Sequence, residues 1–120
     1  EQLTTDHSLI NHLLQTGQIA SKDEMPPGKG NLIVRAMGLK DTVQVDLKIE
    51  RMSSGEVYLL CSDGLTDMVE DRVIGQILSE ATSGDLEVAA GRLINLANAN
   101  GGVDNITVCL LRVLSDTVVI

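Results

Sequence analysis

Apolar and polar side chains alternate through residues 42–50, which is the period of a strand with one buried and one wet face. The apolar positions are Val43, Val45, Leu47 and Ile49. Two further runs, 56–62 and 106–113, are apolar almost without interruption. Runs of that kind indicate strands buried on both faces. The pattern therefore predicts three strands, of which the last two are central.

Helical periodicity appears in three other stretches. Residues 70–81 place Val73, Ile74, Ile77 and Leu78 on one stripe. Asp85 can cap a helix over 86–99, and the glycines at 101–102 close it. A first helix over 6–17 is expected to take Thr5 or Asp6 as its cap and to stop at Gly17.

The two prolines within 21–31 predict an exposed loop. Helices and strands are grouped along the chain rather than alternating. This grouping favours an α+β fold with helices on one face of a mostly antiparallel sheet.

Composition narrows the classes of function. The 120 residues carry a net charge of −8, one Tyr and neither Phe nor Trp. A nucleic-acid partner is disfavoured, because the chain lacks both the positive charge and the aromatic platforms for it. Nothing in the chain is apolar enough to predict a membrane span or a secretion leader. The first residue is Glu1, so we expect the sequence to begin inside a longer protein.

Cys61 and Cys109 each lie in an apolar run, and two isolated cysteines make neither a disulfide framework nor a zinc site. We interpret both as small buried hydrophobic residues. A cytoplasmic location is the expectation that fits them.

Two acidic residues flank the predicted central strands. Asp63 follows the first strand and Asp104 precedes the second, so antiparallel pairing would bring both to one edge of the sheet. Close carboxylates need a cation or a proton between them, and hard oxygen ligands suit Mg²⁺ or Mn²⁺. Asp-Gly and Gly-x-Asp-Asn are also common turn sequences, so spacing alone leaves an ordinary pair of turns open.

Four motifs in order resemble the bacterial metal-dependent Ser/Thr protein phosphatases of the phosphatase 2C type. They are Leu-Thr-Thr-Asp-His-Ser at 3–8, Arg-Ala-Met-Gly at 35–38, Cys-Ser-Asp-Gly-Leu-Thr-Asp at 61–67 and Gly-Gly-Val-Asp-Asn-Ile-Thr-Val at 101–108. The resemblance implies that residues 1–114 are the C-terminal portion of a phosphatase 2C-like domain, an antiparallel β-sandwich flanked by helices. A flap-like segment would occupy about 7–38, and 115–120 would be a tail.

The resemblance also implies the chemistry. Proteins of this family hydrolyse phosphoserine and phosphothreonine with two Mn²⁺ or Mg²⁺ ions, and some hold a third. Asp63 and Asp104 match metal-ligating carboxylates, while Gly64 and Asn105 match residues that support them. His7 could lie on the substrate side or serve local structure. Arg35 could face phosphate or pair with a nearby acid, and the flap-like segment could gate substrate or merely connect.

The family's Asp-Gly-Met-Gly-Gly-His segment, which supplies further ligands, is absent from this sequence. We therefore expect the 120 residues alone to be inactive and to need the N-terminal half of the same domain as a partner. Phosphoprotein substrates and a cognate Ser/Thr kinase are the other partners implied. One alternative is a non-catalytic, phosphatase-like binding or regulatory module. A second, a stress-response or sporulation phosphatase relative, is disfavoured by the flap-like segment, which those relatives usually lack.

Overall fold

The protein is described by a computed structural model covering residues 1–25, 32–81 and 84–114. The chain divides into two compact units, Glu1–Lys48 and Ile49–Ile120. The predicted tail at 115–120 and the Pro-Pro-Gly part of the predicted loop lie outside the described residues. None of the helices in the described part of the chain has the length and apolar content that crossing a bilayer requires.

The second unit is built on two antiparallel strands, as the sequence predicts. Strand β1 spans Val57–Cys61 and β2 spans Val108–Arg112. Their register runs from Val57 opposite Arg112 to Cys61 opposite Val108. Because side chains alternate across a strand, Leu59, Val108 and Leu110 share the face that packs against the core.

Within residues 49–81 and 84–114, three helices accompany this sheet: α2 (Asp63–Thr66), α3 (Asp71–Ala81) and α4 (Leu86–Ala99). The predictions for α3 and α4 are confirmed, including Asp85 as the cap of α4, whose carboxylate accepts a hydrogen bond from the Glu87 amide at 2.8 Å. The predicted Asp63-Gly64 turn is instead the single helical turn of α2. The buried core lies between helices and sheet and consists of Leu65, Val69, Ile74, Ile77, Ala81, Ala89, Leu93 and Ala97.

Helix α1 of the first unit spans Leu9–Gln15, shorter than the predicted 6–17. The predicted caps were wrong, because Ser8 is the cap and its hydroxyl accepts from the Asn11 amide. The Asp6 carboxylate instead accepts a hydrogen bond from the side-chain amide of Gln2, four residues earlier, at 3.0 Å. Gly17 follows the helix at φ 69°, as a stop residue should. A short 3-10 helix, Lys22–Glu24, begins the predicted loop.

The strand predicted over 42–50 is wrong. No ladder forms there within the described residues, and its apolar side chains are exposed, Leu47 by 88%. The physical reason is that alternation shows that a segment can pair and bury one face, but a strand exists only with a neighbour.

The expectation of buried cysteines was also wrong, since both thiols are free and exposed. Cys109 pairs with Leu60 on the outer face of the sheet, opposite the face that packs against the core. Cys61 lies at the end of β1, where desolvation and the negative charge of Asp71 raise the pKa of its thiol. An apolar run in a two-stranded sheet therefore does not bury every residue in it.

Candidate metal centre

The candidate centre lies at the edge of the sheet where β1 ends and β2 is about to begin. Asp63 opens α2 directly after Ser62, and its main-chain carbonyl accepts from the Asp67 amide at 2.8 Å. Asp104 precedes β2, and its carboxylate accepts from the amide of Asn105 at 2.6 Å. Both acidic residues are exposed. The antiparallel register thus brings the turn after β1 beside the loop before β2.

Ser62 joins these two segments. Its hydroxyl donates to the Asn105 carbonyl at 2.9 Å and accepts from the Thr107 amide at 3.0 Å, while its own amide donates to the Thr107 carbonyl at 3.1 Å. The hydroxyl proton is therefore committed to a carbonyl, so Ser62 is not arranged as a nucleophile. No pattern in the sequence points to this bridging role, since the two partners of the hydroxyl lie 43 and 45 residues away.

Gly64 lies against the same loop. A Cβ atom placed on it would lie 2.4 Å from the Asn105 carbonyl oxygen and 3.4 Å from the Asp104 carbonyl carbon. The backbone of Gly64 is thus in direct contact with the backbone of residues 104–105, and only a residue without a side chain fits. The structure brings the main chain around Asp63 and Asp104 together across 40 residues of sequence.

The loop before β2 is also fixed from the helical side. The Asn100 side chain donates to the Met68 carbonyl at 2.8 Å, which joins the end of α4 to the residues after α2. Gly101 and Gly102 follow with positive φ angles of 134° and 53°, a backbone that side chains disfavour. The carboxylates are therefore carried by two short turns held from several directions.

These oxygens suit a hard cation such as Mg²⁺ or Mn²⁺. Within the described ranges, no group of three or more His, Cys, Asp or Glu residues is arranged to hold a metal ion. The donors present thus fit part of a coordination shell, and a cation bound to them alone would keep most of its waters.

The structure places His7 and Arg35 in the first unit, where both contact Asp46. His7 Nε2 lies 2.7 Å from Asp46 Oδ2, and Arg35 Nη1 donates to Asp46 Oδ1 at 2.7 Å. Arg35 thus pairs with a nearby acid, one of the two alternatives open from sequence. The pKa of the Asp46 carboxyl lies below its ordinary value. The hydrogen bond with His7 is the largest cause, and the hydrogen bond with Arg35 is the next.

Comparisons with known proteins identify the relatives. The chain is 42% identical over 111 residues to the serine/threonine phosphatase Stp of Listeria monocytogenes, covering 92% of this chain and 43% of that protein. A solved Ser/Thr phosphatase of S. agalactiae superposes with a TM-score of 0.83 at 36% identity, covering 94% of this chain and 46% of that one. The chain is a homologue of part of the bacterial phosphatase 2C-type Ser/Thr phosphatases.

This homology fixes the fold as part of the phosphatase 2C-like α+β fold, as the motifs implied. A third relative is the catalytic domain of the Ser/Thr protein phosphatase PstP, whose crystal structure contains two manganese ions. This chain superposes on it with a TM-score of 0.69 at 35% identity, covering 95% of this chain and 45% of that one. The phosphatase 2C-type homologue spans under half the length of the relatives it matches. No family model matches it.

Proposed function

We propose that this chain is one part, the C-terminal one, of a metal-dependent phosphatase that hydrolyses phosphoserine and phosphothreonine in proteins. The observation that supports the proposal is the backbone contact of Gly64 with residues 104–105, which brings the turns carrying two exposed acidic residues together at one edge of the sheet. Homology to named Ser/Thr phosphatases supports the reaction class.

In this proposal Asp63 and Asp104 are metal ligands, and Gly64 and Asn105 hold their turns in contact. The cations would be Mn²⁺ or Mg²⁺, two or three in the complete domain. When bound, they would supply an activated water and neutralise phosphoryl charge. The role of this chain's own residues is to carry the two carboxylates on neighbouring turns, which the Ser62 hydrogen bond and the Gly64 close approach hold side by side.

We also propose that the rest of the phosphatase domain covers the outer face of the sheet. This face carries Tyr58, Leu60, Cys109 and Leu111, and Leu60 and Leu111 are 58% and 50% exposed. An isolated two-stranded sheet is marginal in water, and the relatives are more than twice as long as the part matched here. A cytoplasmic location stays a prediction that rests on the two free thiols. An opposing Ser/Thr kinase stays a prediction that rests on the proposed reaction.

A thiol-labelling experiment tests this covered face. Cys109 should react readily with a maleimide in the 120-residue chain and be protected in a version extended upstream, as measured by mass spectrometry of its peptide. Equal labelling of Cys109 in the two forms would show that the outer face stays open.

The reaction is tested by comparing the 120-residue chain with the extended protein for Mn²⁺-dependent hydrolysis of a phosphothreonine peptide. We expect turnover only in the extended protein. In the extended protein, Asp63→Asn or Asp104→Asn should reduce turnover by more than about 100-fold. Losing a residue that only orients a metal ligand typically costs roughly 10- to 100-fold in activity. Asp85→Asn is the matched control, because asparagine also caps a helix and this position is the cap of α4.

The alternative function, a non-catalytic binding module, predicts no turnover even in the extended protein. Full activity of the Asp63 and Asp104 variants would instead refute the ligand assignment while leaving the reaction class intact.

A further inference from the structure

Ser62 occupies the position at which a serine usually caps its own helix. It directly precedes α2 with an extended backbone, φ −79° and ψ 163°, yet its side chain makes no capping hydrogen bond. A capping serine normally accepts a hydrogen bond from an amide two or three residues later. The hydroxyl instead contacts the loop before β2, with partners 43 and 45 residues away. The side chain of Ser62 therefore serves the junction between the two strands and not the start of α2.

The hydroxyl extends the pairing of β1 and β2 by one step. The regular ladder ends where Cys61 lies opposite Val108. At the next step the Ser62 amide donates to the Thr107 carbonyl at 3.1 Å, as in an ordinary antiparallel pair. The Ser62 carbonyl does not complete that pair, because it is turned towards α2 and accepts from the Leu65 amide at 3.1 Å. The Thr107 amide donates to the Ser62 hydroxyl oxygen at 3.0 Å instead.

The single proton of this hydroxyl reaches further into the loop. It is donated to the Asn105 carbonyl at 2.9 Å, and the backbone of Gly64 approaches the same carbonyl oxygen from the other turn. The amide of Asn105 in turn donates to a carboxylate oxygen of Asp104 at 2.6 Å. Ser62 directly precedes Asp63, so its side chain adjoins the first candidate ligand and is connected through the next loop to the second.

We propose that Ser62 is a positioning residue of the metal centre: its hydroxyl holds the Asn105 backbone and thereby sets the place of the Asp104 carboxylate. In this role Ser62 does not touch the reacting atoms, and its effect is on how well two carboxylates are presented to a divalent cation. The part concerning metal binding rests on the proposed phosphatase function. The part concerning the Asn105 backbone rests only on the hydrogen bonds of Ser62.

The first measurement is a calorimetric titration of the extended protein with Mn²⁺ alone, comparing Ser62→Thr with Ser62→Val. Both substitutions add similar bulk, and the extended backbone at this position suits β-branched residues, but only threonine keeps a hydroxyl. Ser62→Val should bind Mn²⁺ about tenfold more weakly than Ser62→Thr, at the lower end of the range for residues that orient metal ligands. Equal affinity of the two variants would overturn the proposal.

Two further variants separate the hydroxyl from the added bulk. Ser62→Ala adds no atoms and should bind Mn²⁺ about tenfold more weakly than the wild type, whereas wild-type affinity would count against the hydroxyl. Thr16→Val is the matched control, because it removes a hydroxyl that donates to the His12 carbonyl of its own helix at 2.9 Å, and Mn²⁺ affinity should not change. Denaturant unfolding of each variant identifies any loss of binding that comes from loss of folding.

The second measurement needs no metal. The backbone ¹⁵N order parameter of Asn105 should be about 0.85 in Ser62→Thr, as in rigid backbone, and should fall towards about 0.6 in Ser62→Val. The Val113 amide, which donates to the Glu56 carbonyl at 2.9 Å beyond the other end of the ladder, should keep its value in both variants. An Asn105 order parameter that is the same in both variants would refute the positioning role.

Failure of the proposed function and failure of the Ser62 role give different results. If the extended wild-type protein bound no Mn²⁺, the phosphatase proposal would fail, while the order parameter of Asn105 would still decide whether Ser62 holds that backbone. If Mn²⁺ bound tightly and equally to the Ser62→Thr and Ser62→Val proteins, the phosphatase proposal would stand and the role of Ser62 would fail.

Discussion

Gly64→Ala is the sharpest perturbation that the candidate metal centre offers. The new methyl carbon would lie 2.4 Å from the Asn105 carbonyl oxygen and 3.0 Å from its carbonyl carbon. Both atoms belong to the backbone, so no side chain can rotate away, and one of the two turns must move. Gly64 does not have a positive φ, so the effect would come from the close approach and not from backbone conformation.

The expected cost follows from overpacking at a buried position. Adding a methyl group to a well-packed site destabilises by about 1–3 kcal/mol. Moving the turn that carries Asp63 away from the loop that carries Asp104 should also weaken Mn²⁺ binding, by about tenfold for each 1.4 kcal/mol of strain. Denaturant unfolding and calorimetric Mn²⁺ titration of the full-length protein measure the two effects.

Gly75→Ala is the matched control. Gly75 is an exposed residue inside α3, and a Cβ there meets nothing within 4 Å. The same substitution should therefore stabilise by about 1 kcal/mol, since alanine is the better helix former. If Gly64→Ala were as stable as Gly75→Ala and bound Mn²⁺ normally, the two turns would not be in the contact that the site requires.

Two further predictions test the core and the first unit. Leu93→Ala should lower the free energy of unfolding by about 2–5 kcal/mol, because Leu93 is fully buried in α4. The control is Val88→Ala on the same helix, where the side chain is 60% exposed and the free energy of unfolding should change by less than about 0.5 kcal/mol. Denaturant unfolding measures both. The pKa of the Asp46 carboxyl is lowered from 3.8, so its ion pairs should persist until the pH falls through that lowered pKa. The hydrogen bond from His7 is the largest cause of the lowering, so His7→Gln should raise the pKa of Asp46 towards its ordinary value, as measured by NMR titration of the carboxyl group. An Asp46 that titrates at the ordinary value in the wild type would contradict this.

Elements whose signal is local were predictable from sequence. The stripe of α3, the Asp85 cap of α4 and the apolar runs of β1 and β2 each specify their own conformation, and all four elements form within a few residues of the predicted bounds. The contact between the turns carrying Asp63 and Asp104 was accessible for the same reason. Two central strands with antiparallel pairing leave only one edge where the end of one meets the start of the other.

Contacts set by distant partners were not predictable. Asp46 stood out in the sequence only as one polar residue in an alternating stretch, and nothing local points from it to His7 or Arg35. Ser62 is comparable, because its two hydrogen-bond partners lie 43 and 45 residues later. Hydrogen bonds of this kind depend on the final packing, and short-range patterns do not encode them.

Two of the wrong expectations, a strand over 42–50 and buried cysteines, have one physical origin. An apolar pattern shows that burying a surface would be favourable, but not which segment covers it. Among the described residues of the second unit, one face of the sheet packs against the core, and Leu60, Cys109 and Leu111 on the other face are exposed. Val45 and Leu47 of the first unit are exposed in the same way. In the proposed phosphatase, the rest of the domain would bury these exposed apolar surfaces and so add to stability.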